Sequence, residues 1–406
     1  MPLVSYFLFL INPILGIFNS IWFKSFKNAE NLIWIFVVLS SYSFVISSPE
    51  LDAATRKDIF ELIIYQRLSL LETFELFFLE SEKSPDFIEY VIYYAVAQFT
   101  DSFDILFLVL GVIFGFFYSR SIGFFLKCYC GKYVLISVIL VLLFAMINGF
   151  WNINAFRFFC AVSMFFYFTI NYFVNDRKMY WVLVLCACLH YSTLLPISLF
   201  VLYLTFFYKR IGVIYTIFIL SFVISFLPVA VFGSILSAIA PDFLASKVMT
   251  YTDSDYAASL SKGGTDWSIY IRGFVFFAVN VLMILLYKYA RFKVFKANVK
   301  YYRFFGFIMF LGASFNALSQ LPSGYRFMIL YTMFVLFFVF VLLQQTKVFK
   351  HKMLIESLKI SCGIFVLGIF TYIRIGLDMV NFYLIFGNTI QLVIENEKKA
   401  LIELFK

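Results

Sequence analysis

The chain has 406 residues, 63% of them hydrophobic and 14% charged, and a mean hydropathy of +0.93. A soluble domain carries about 45–50% apolar and about 25% charged residues, so a soluble fold is excluded, and the absence of alternating strands of roughly ten residues argues against an outer-membrane barrel. The net charge of +9 would suit a nucleic-acid binder, but the basic residues punctuate the apolar runs instead of forming a patch. Nucleic acid is therefore excluded as a partner and the lipid bilayer is expected.

The expected architecture is all-α: a polytopic transmembrane helical bundle, one integral membrane domain over 1–406. Apolar runs and their flanks mark about twelve spans, over 3–20, 31–48, 103–119, 133–149, 156–174, 179–191, 192–207, 211–230, 268–287, 304–320, 327–344 and 356–375. The opening MPLVSYFLFLINPILG has no basic n-region and no small-residue cleavage site, and reads as the first span. Lys24 and Lys27, then Arg120, Lys127 and Lys132, then Arg177 and Lys178, and the later basic clusters at 209–210, 288–303 and 347–352 are read as cytoplasmic. With that assignment both ends of the chain face outside.

The segment 49–85 is read as an outer loop, since Glu50 to Glu89 holds ten acids and four bases. Within it DIFELIIYQRLSLLETFELFFLE places its apolar residues on one broad helical face, with Glu61, Glu72, Glu75 and Glu80 opposite, the pattern of an interfacial amphipathic helix. The helical stretch 86–99 is too short to cross alone and is placed at the outer interface or as a re-entrant piece. Over 179–207, Pro196 and the polar HYST cluster predict a break at His190 and two short spans. The segment 231–267 is read as a second outer loop, capping the mouth of the bundle.

Four of the six cysteines, Cys160, Cys186, Cys188 and Cys362, lie in apolar runs, while Cys128 and Cys130 fall in an expected cytoplasmic loop. No His or acid stands at metal-ligand spacing from either C-x-C pair, so neither a disulfide framework nor a metal site is expected.

Candidate chemistry concentrates at the outer ends of the spans. Arg157, Arg272 and Arg326 open inward-going spans, and Arg374 closes an outgoing one. One such arginine is ordinarily a snorkelling side chain; four at one level point to an anionic ligand such as a lipid diphosphate, which guanidinium groups neutralise without a divalent metal. Asn154 stands beside Arg157, and Gln320 and Tyr325 beside Arg326. His190, one of two histidines, is the candidate general base, with the hydroxyls of Tyr191 and Ser192 next to it.

The block NAFRFFCAVSMFFYFTINYFVNDRKMYWVLVLCACLHYSTLLPISLF resembles the central region of Wzy-type polysaccharide polymerases, particularly their EpsG-like branch. It has an arginine at the start of one span (Arg157), a small residue one turn on (Ala161), a charged turn (Asp176 to Lys178), and an outgoing helix ending in His-x-Ser (His190, Ser192). SGYRFMILY, with Arg326, resembles a later family position, and DFIEYVIYYAVAQFTDSFDILFLVLGVI resembles the third-span region. In the first outer loop Asp52 and Asp58 are present without the family's tyrosine spacing.

The resemblance implies a GT-C-like glycosyltransferase of the bacterial inner membrane, with its active site facing the periplasm. It would polymerise O-antigen or capsule repeats by moving glycan from undecaprenyl diphosphate to the next lipid-linked unit. His190, Arg157 and Arg326 would act in catalysis, and Arg272, Arg374, Asn154, Tyr191, Ser192, Gln320 and Tyr325 would hold substrate. The implied partners are undecaprenyl-diphosphate-linked oligosaccharide and a chain-length regulator; no cofactor is expected. A lipid-linked glycan flippase, an O-antigen ligase and a membrane O-acyltransferase stand as alternatives.

Overall fold

The structure is a computed structural model that describes residues 2–80, 86–225, 266–290, 298–319, 324–395 and 398–405. The expected outer loop 231–267 lies outside these residues up to position 265, as does Gln320. All regular structure among the described residues is helical. Five helical stretches are long and apolar enough to cross a membrane: Phe103–Cys128, Val134–Phe173, Trp267–Tyr289, Tyr325–Gln345 and Lys352–Gly376. The protein is a helical membrane protein.

The chain forms two compact units. The first comprises Met1–Tyr129, Asn148–Leu194 and Tyr372–Lys406; the second comprises Cys130–Ile147 and Leu195–Thr371.

The first unit opens with a correction. The stretch 3–20 is not one span but two ten-residue helices, α1 (Pro2–Ile11) and α2 (Pro13–Trp22). Asn12 is extended, and its side chain caps α2 by accepting from the amides of Ile14 and Leu15. Pro13 follows at the first helical position, where its missing N–H costs nothing. The helices then fold back antiparallel: Ser5 donates to Asn19 at 2.9 Å, and a Cβ on Gly16 would stand 2.7 Å from the Phe9 Cα. Each helix is about 15 Å long, half the roughly 30 Å hydrocarbon thickness.

α3 (Phe26–Tyr42) and α7 (Phe103–Cys128) form the tightest pair of this unit. The cause is a stripe of small residues on α7 at four-residue spacing: Gly111, Gly115, Ser119 and Gly123. Added Cβ atoms would meet Ser41 at 2.5 Å, the Trp34 ring at 3.0 Å and the Glu30 carboxyl at 1.9 Å. Small faces of this kind let helix backbones approach in a membrane, where no hydrophobic difference drives them together. α7 also runs past its expected end at 119, so Arg120, Lys127 and Cys128 sit on a helix instead of in a loop. Arg120 is spent on α3, donating to Glu30 O and Asn31 Oδ1 and stacking on Trp34 and Phe116. Lys127 pairs with the buried Glu30 at 2.6 Å.

The expected amphipathic helix of 49–85 is also two helices, α4 (Asp52–Tyr65) and α5 (Leu70–Glu80). Arg67 takes a left-handed conformation (φ 51°), and Ser69 with Glu72 builds a reciprocal capping box, with bonds of 2.7 and 3.3 Å, that starts a new helix. The buried face of α4 reads Ala53, Arg56, Phe60 and Ile63; an arginine stands among its apolar positions. α6 (Ile88–Ala97) packs against α4 and α5. Helices α9 (Phe156–Phe173) and α10 (Tyr180–Leu189) and the short helices Phe382–Phe386 and Thr389–Ile394 belong to the same unit. α9 ends in a left-handed Asp176 (φ 55°) with the Arg177 amide donating to Asn171 O at 2.8 Å, a helix-closing arrangement. α10 stops where expected, at an extended His190.

The second unit contains α8 (Val134–Ile147), α11 (Leu194–Leu202), α12 (Ile211–Ile224), α13 (Asp266–Ala290), α14 (Val299–Leu318), α15 (Tyr325–Gln345) and most of α16 (Lys352–Gly376). α15 is its centre, with 94% of its apolar window buried. A polar knot ties four helices: Asn280 donates to Asn316 (3.1 Å), Asn316 to Ser221 (3.3 Å), and the Tyr331 hydroxyl to Asn280 (3.0 Å). Gln344 satisfies its whole amide by accepting from the amides of Cys130 and Lys132 and donating to Lys132 O and Ser137 Oγ.

Candidate functional site

The first unit gathers five ionisable side chains into one alternating chain of charge. It starts at Arg56 on the second turn of α4. The Arg56 Nε lies 2.5 Å from Glu89 Oε1, with both side chains about 5% exposed. The other Glu89 oxygen, Oε2, receives Arg157 Nε at 3.1 Å. Arg157 Nη1 stands 3.6 Å from Asp86 Oδ2, and that same oxygen lies 2.6 Å from His190 Nδ1. The order is cation, anion, cation, anion, imidazole.

Each member is placed by a local cause. Asp86 stands just before α6, ahead of the N-cap Phe87, and Glu89 lies on the first turn, so the lead-in to one helix supplies both carboxylates. Arg157 is the second residue of α9 and follows a 3₁₀ turn over Phe150–Ala155. The Trp151 ring holds that turn, filling the space that a Cβ on Gly149 or Gly376 would need. Asn154 then fastens α4 to the turn: its side chain accepts from the Ala53 amide at 3.0 Å, and its carbonyl accepts from Arg56 Nη1. His190 is presented by the chain break after α10, and the Tyr191 amide donates to Asp86 Oδ1 at 2.7 Å. The Phe158 ring meets the imidazole edge-on at 5.7 Å. Both Asp86 oxygens are thus engaged, one by the backbone and one by the imidazole.

The electrostatics follow from burial. Asp86 and Glu89 are buried, whereas the Arg157 side chain is 31% exposed and that of His190 17%. Burial pushes the Glu89 carboxyl up, but the Arg56 and Arg157 guanidiniums outweigh it and hold it below the usual carboxylate range. Burial works against the Arg56 charge too, and Glu89 prevails, raising its pKa. Tyr93, one turn after Glu89, is raised by burial and then by the Glu89 charge. Two arginines and two carboxylates cancel when His190 is neutral.

Among the residues expected from sequence, Arg157, His190, Asn154 and Tyr191 come together here. Ser192 is adjacent in the chain, and its Oγ is buried with no hydrogen-bond partner among the described residues. Arg374 instead makes an exposed pair with Asp378 at 2.9 Å, of the kind that contributes about 0–1 kcal/mol. Arg272, Tyr325 and Arg326 belong to the second unit. There Arg272 donates to Ser268 O at 3.2 Å and lies 5.5 Å from the Tyr325 ring; Arg326 stands on the first turn of α15.

Arg56, Asp86, Glu89 and Tyr93 were not singled out from sequence. The signal was present: two carboxylates head a ten-residue apolar helix, and an arginine interrupts the apolar face of α4. Ionisable groups inside apolar elements are expensive and ordinarily functional. No group of three metal-ligating side chains occurs among the described residues. Comparison with family models, with curated proteins and with solved structures found no match.

Proposed function

We propose that this protein is a GT-C-like membrane glycosyltransferase that polymerises lipid-linked oligosaccharide repeats at the periplasmic face of a bacterial inner membrane. One observation carries the reading: the 2.6 Å contact between His190 Nδ1 and Asp86 Oδ2, with Arg157 beside the same carboxylate. A carboxylate on Nδ1 fixes the tautomer whose Nε2 accepts a proton, and stabilises the imidazolium that results.

In the proposed reaction an acceptor sugar hydroxyl gives its proton to His190 Nε2 while its oxygen attacks the anomeric carbon of the donor. The bond from that carbon to the undecaprenyl diphosphate oxygen breaks, and the diphosphate departs as an anion that needs no proton. Arg157 keeps an Nη2 edge without a protein partner among the described residues, suited to that anion. Arg326 and Arg272, in the second unit, enter this proposal only through the family resemblance.

The test is the lipid-linked glycan profile of cells lacking the protein. Accumulated single repeats support a polymerase; long chains left on the lipid carrier support a ligase; intermediates held on the cytoplasmic face support a flippase. The histidine–carboxylate pair also favours a second reading, O-acyl transfer to a sugar hydroxyl. Loss of acyl groups from glycan of normal length would select it.

A further inference from the structure

Glu89 is a buried carboxylate with two arginine partners, and the two are not equivalent. Arg56 is as buried as Glu89 and is fixed at both ends of its guanidinium, by Oε1 at 2.5 Å and by the Asn154 carbonyl. Arg157 is 31% exposed, touches Oε2 at 3.1 Å, and reaches Asp86 only at 3.6 Å. One arginine is locked to the carboxylate and the other is held loosely beside it, at the exposed end of the cluster.

We infer that Arg56 is a positioning residue that neutralises Glu89 permanently, so that Arg157 can turn from Glu89 to an anionic diphosphate group without leaving a buried carboxylate uncompensated. The physical ground is the size of the alternative. Removing one partner of a buried ion pair is strongly unfavourable, because the remaining charge is stranded. Were Arg157 the sole counterion of Glu89, every binding event would have to meet that cost. With Arg56 in place, the cost falls to the loss of a second, longer contact. The inference deepens the proposed function by naming how its anion site is kept available, and rests on that reading only in taking the ligand to be a diphosphate.

The signs of the expected effects separate this role from simple bracing of the fold. The probe is inorganic pyrophosphate, titrated by calorimetry into the purified full-length protein in lipid nanodiscs without donor or acceptor sugar. Binding is thereby read apart from turnover, and a failed glycosyltransferase assay leaves the result standing. Glu89→Gln removes the competitor for Arg157 and is expected to bind pyrophosphate more tightly than wild type. Arg56→Met leaves Glu89 to Arg157 alone and is expected to weaken binding by about ten- to a hundredfold. The Arg56→Met/Glu89→Gln pair restores it, and Arg157→Met abolishes it.

Should Arg56→Met fail to fold, Glu89→Gln and Arg56→Lys decide the matter, since Lys keeps the charge on Glu89 and should bind nearly as wild type. Weaker binding in Glu89→Gln, unchanged binding in Arg56→Met, or no pyrophosphate binding by the wild type would each overturn the inference.

Discussion

Asp86→Asn is the most direct perturbation of the proposed chemistry. The carboxylate accepts two hydrogen bonds, from His190 Nδ1 at 2.6 Å and from the Tyr191 amide at 2.7 Å. Asparagine keeps one oxygen, which the backbone amide retains, and turns its NH₂ toward the imidazole. Nδ1 must then accept, the ring proton moves to Nε2, and the base is blocked. The lost bond to a charged acceptor is worth about 1.5–3 kcal/mol, or roughly 10–150-fold in rate if it acts only in the transition state. The wrong tautomer extends the loss toward the 10²–10⁴-fold range, the usual scale of a general base. The assay is turnover of purified protein with lipid-linked donor and acceptor, alongside melting temperature. His190→Ala should lose a similar factor, and Asp86→Asn/His190→Ala no more than either alone, because the two act as one unit. A wild-type rate in Asp86→Asn at normal stability would refute the dyad.

Arg157→Lys and Arg326→Lys should each lose most long-chain glycan at normal protein abundance, since lysine keeps the charge but not the planar fork; normal chain lengths in both would indicate mere snorkelling. Because the Glu89 carboxyl is held low, its ion pairs contribute stability that is present above the ordinary glutamate range near ~4.3 and is lost as pH falls through the lower folded value. Melting temperature should therefore show no Glu89 contribution to its slope between pH 8 and about 5, and a fall below about pH 4 that Glu89→Gln diminishes. A Glu89-dependent fall starting above pH 6 would contradict the ion-pair assignment. Activity should survive excess chelator; loss that Mg²⁺ or Mn²⁺ restores would replace guanidinium neutralisation by metal.

What was legible in the sequence was whatever depended on composition and local chain chemistry. Apolar runs gave the helices, and the polar HYST cluster gave the break at His190. The expected ends failed where a single side chain decided the outcome: Asn12 caps a new helix within an unbroken apolar run, and Ser69 with Glu72 does the same inside the outer loop. Arg120 and Lys127 misled for a different reason. Charged residues read as a loop, yet here α3 supplies them with a carboxylate, carbonyls and aromatic faces. Two of the five ionisable members of the candidate site were visible because Arg157 and His190 stand out individually. Arg56, Asp86 and Glu89 did not, because their meaning lies in pairing across more than thirty positions of sequence, between Arg56 and Glu89 and between Asp86 and His190. The small-residue stripe from Gly111 to Gly123 was readable at four-residue spacing and lets α7 pack closely on α3.

The amino-terminal hairpin bears on how the start of the chain meets the bilayer. A helix pair that doubles back enters and leaves by the same leaflet, so Leu3 and Lys24 belong to one side of the bilayer. At about 15 Å each, α1 and α2 are too short to cross and form a wedge within one leaflet. The Asn12 amide at its tip is tethered to the carbonyls of Ile385 (2.8 Å) and Gly387 (3.2 Å), so the wedge is held by a segment 373 positions away in sequence.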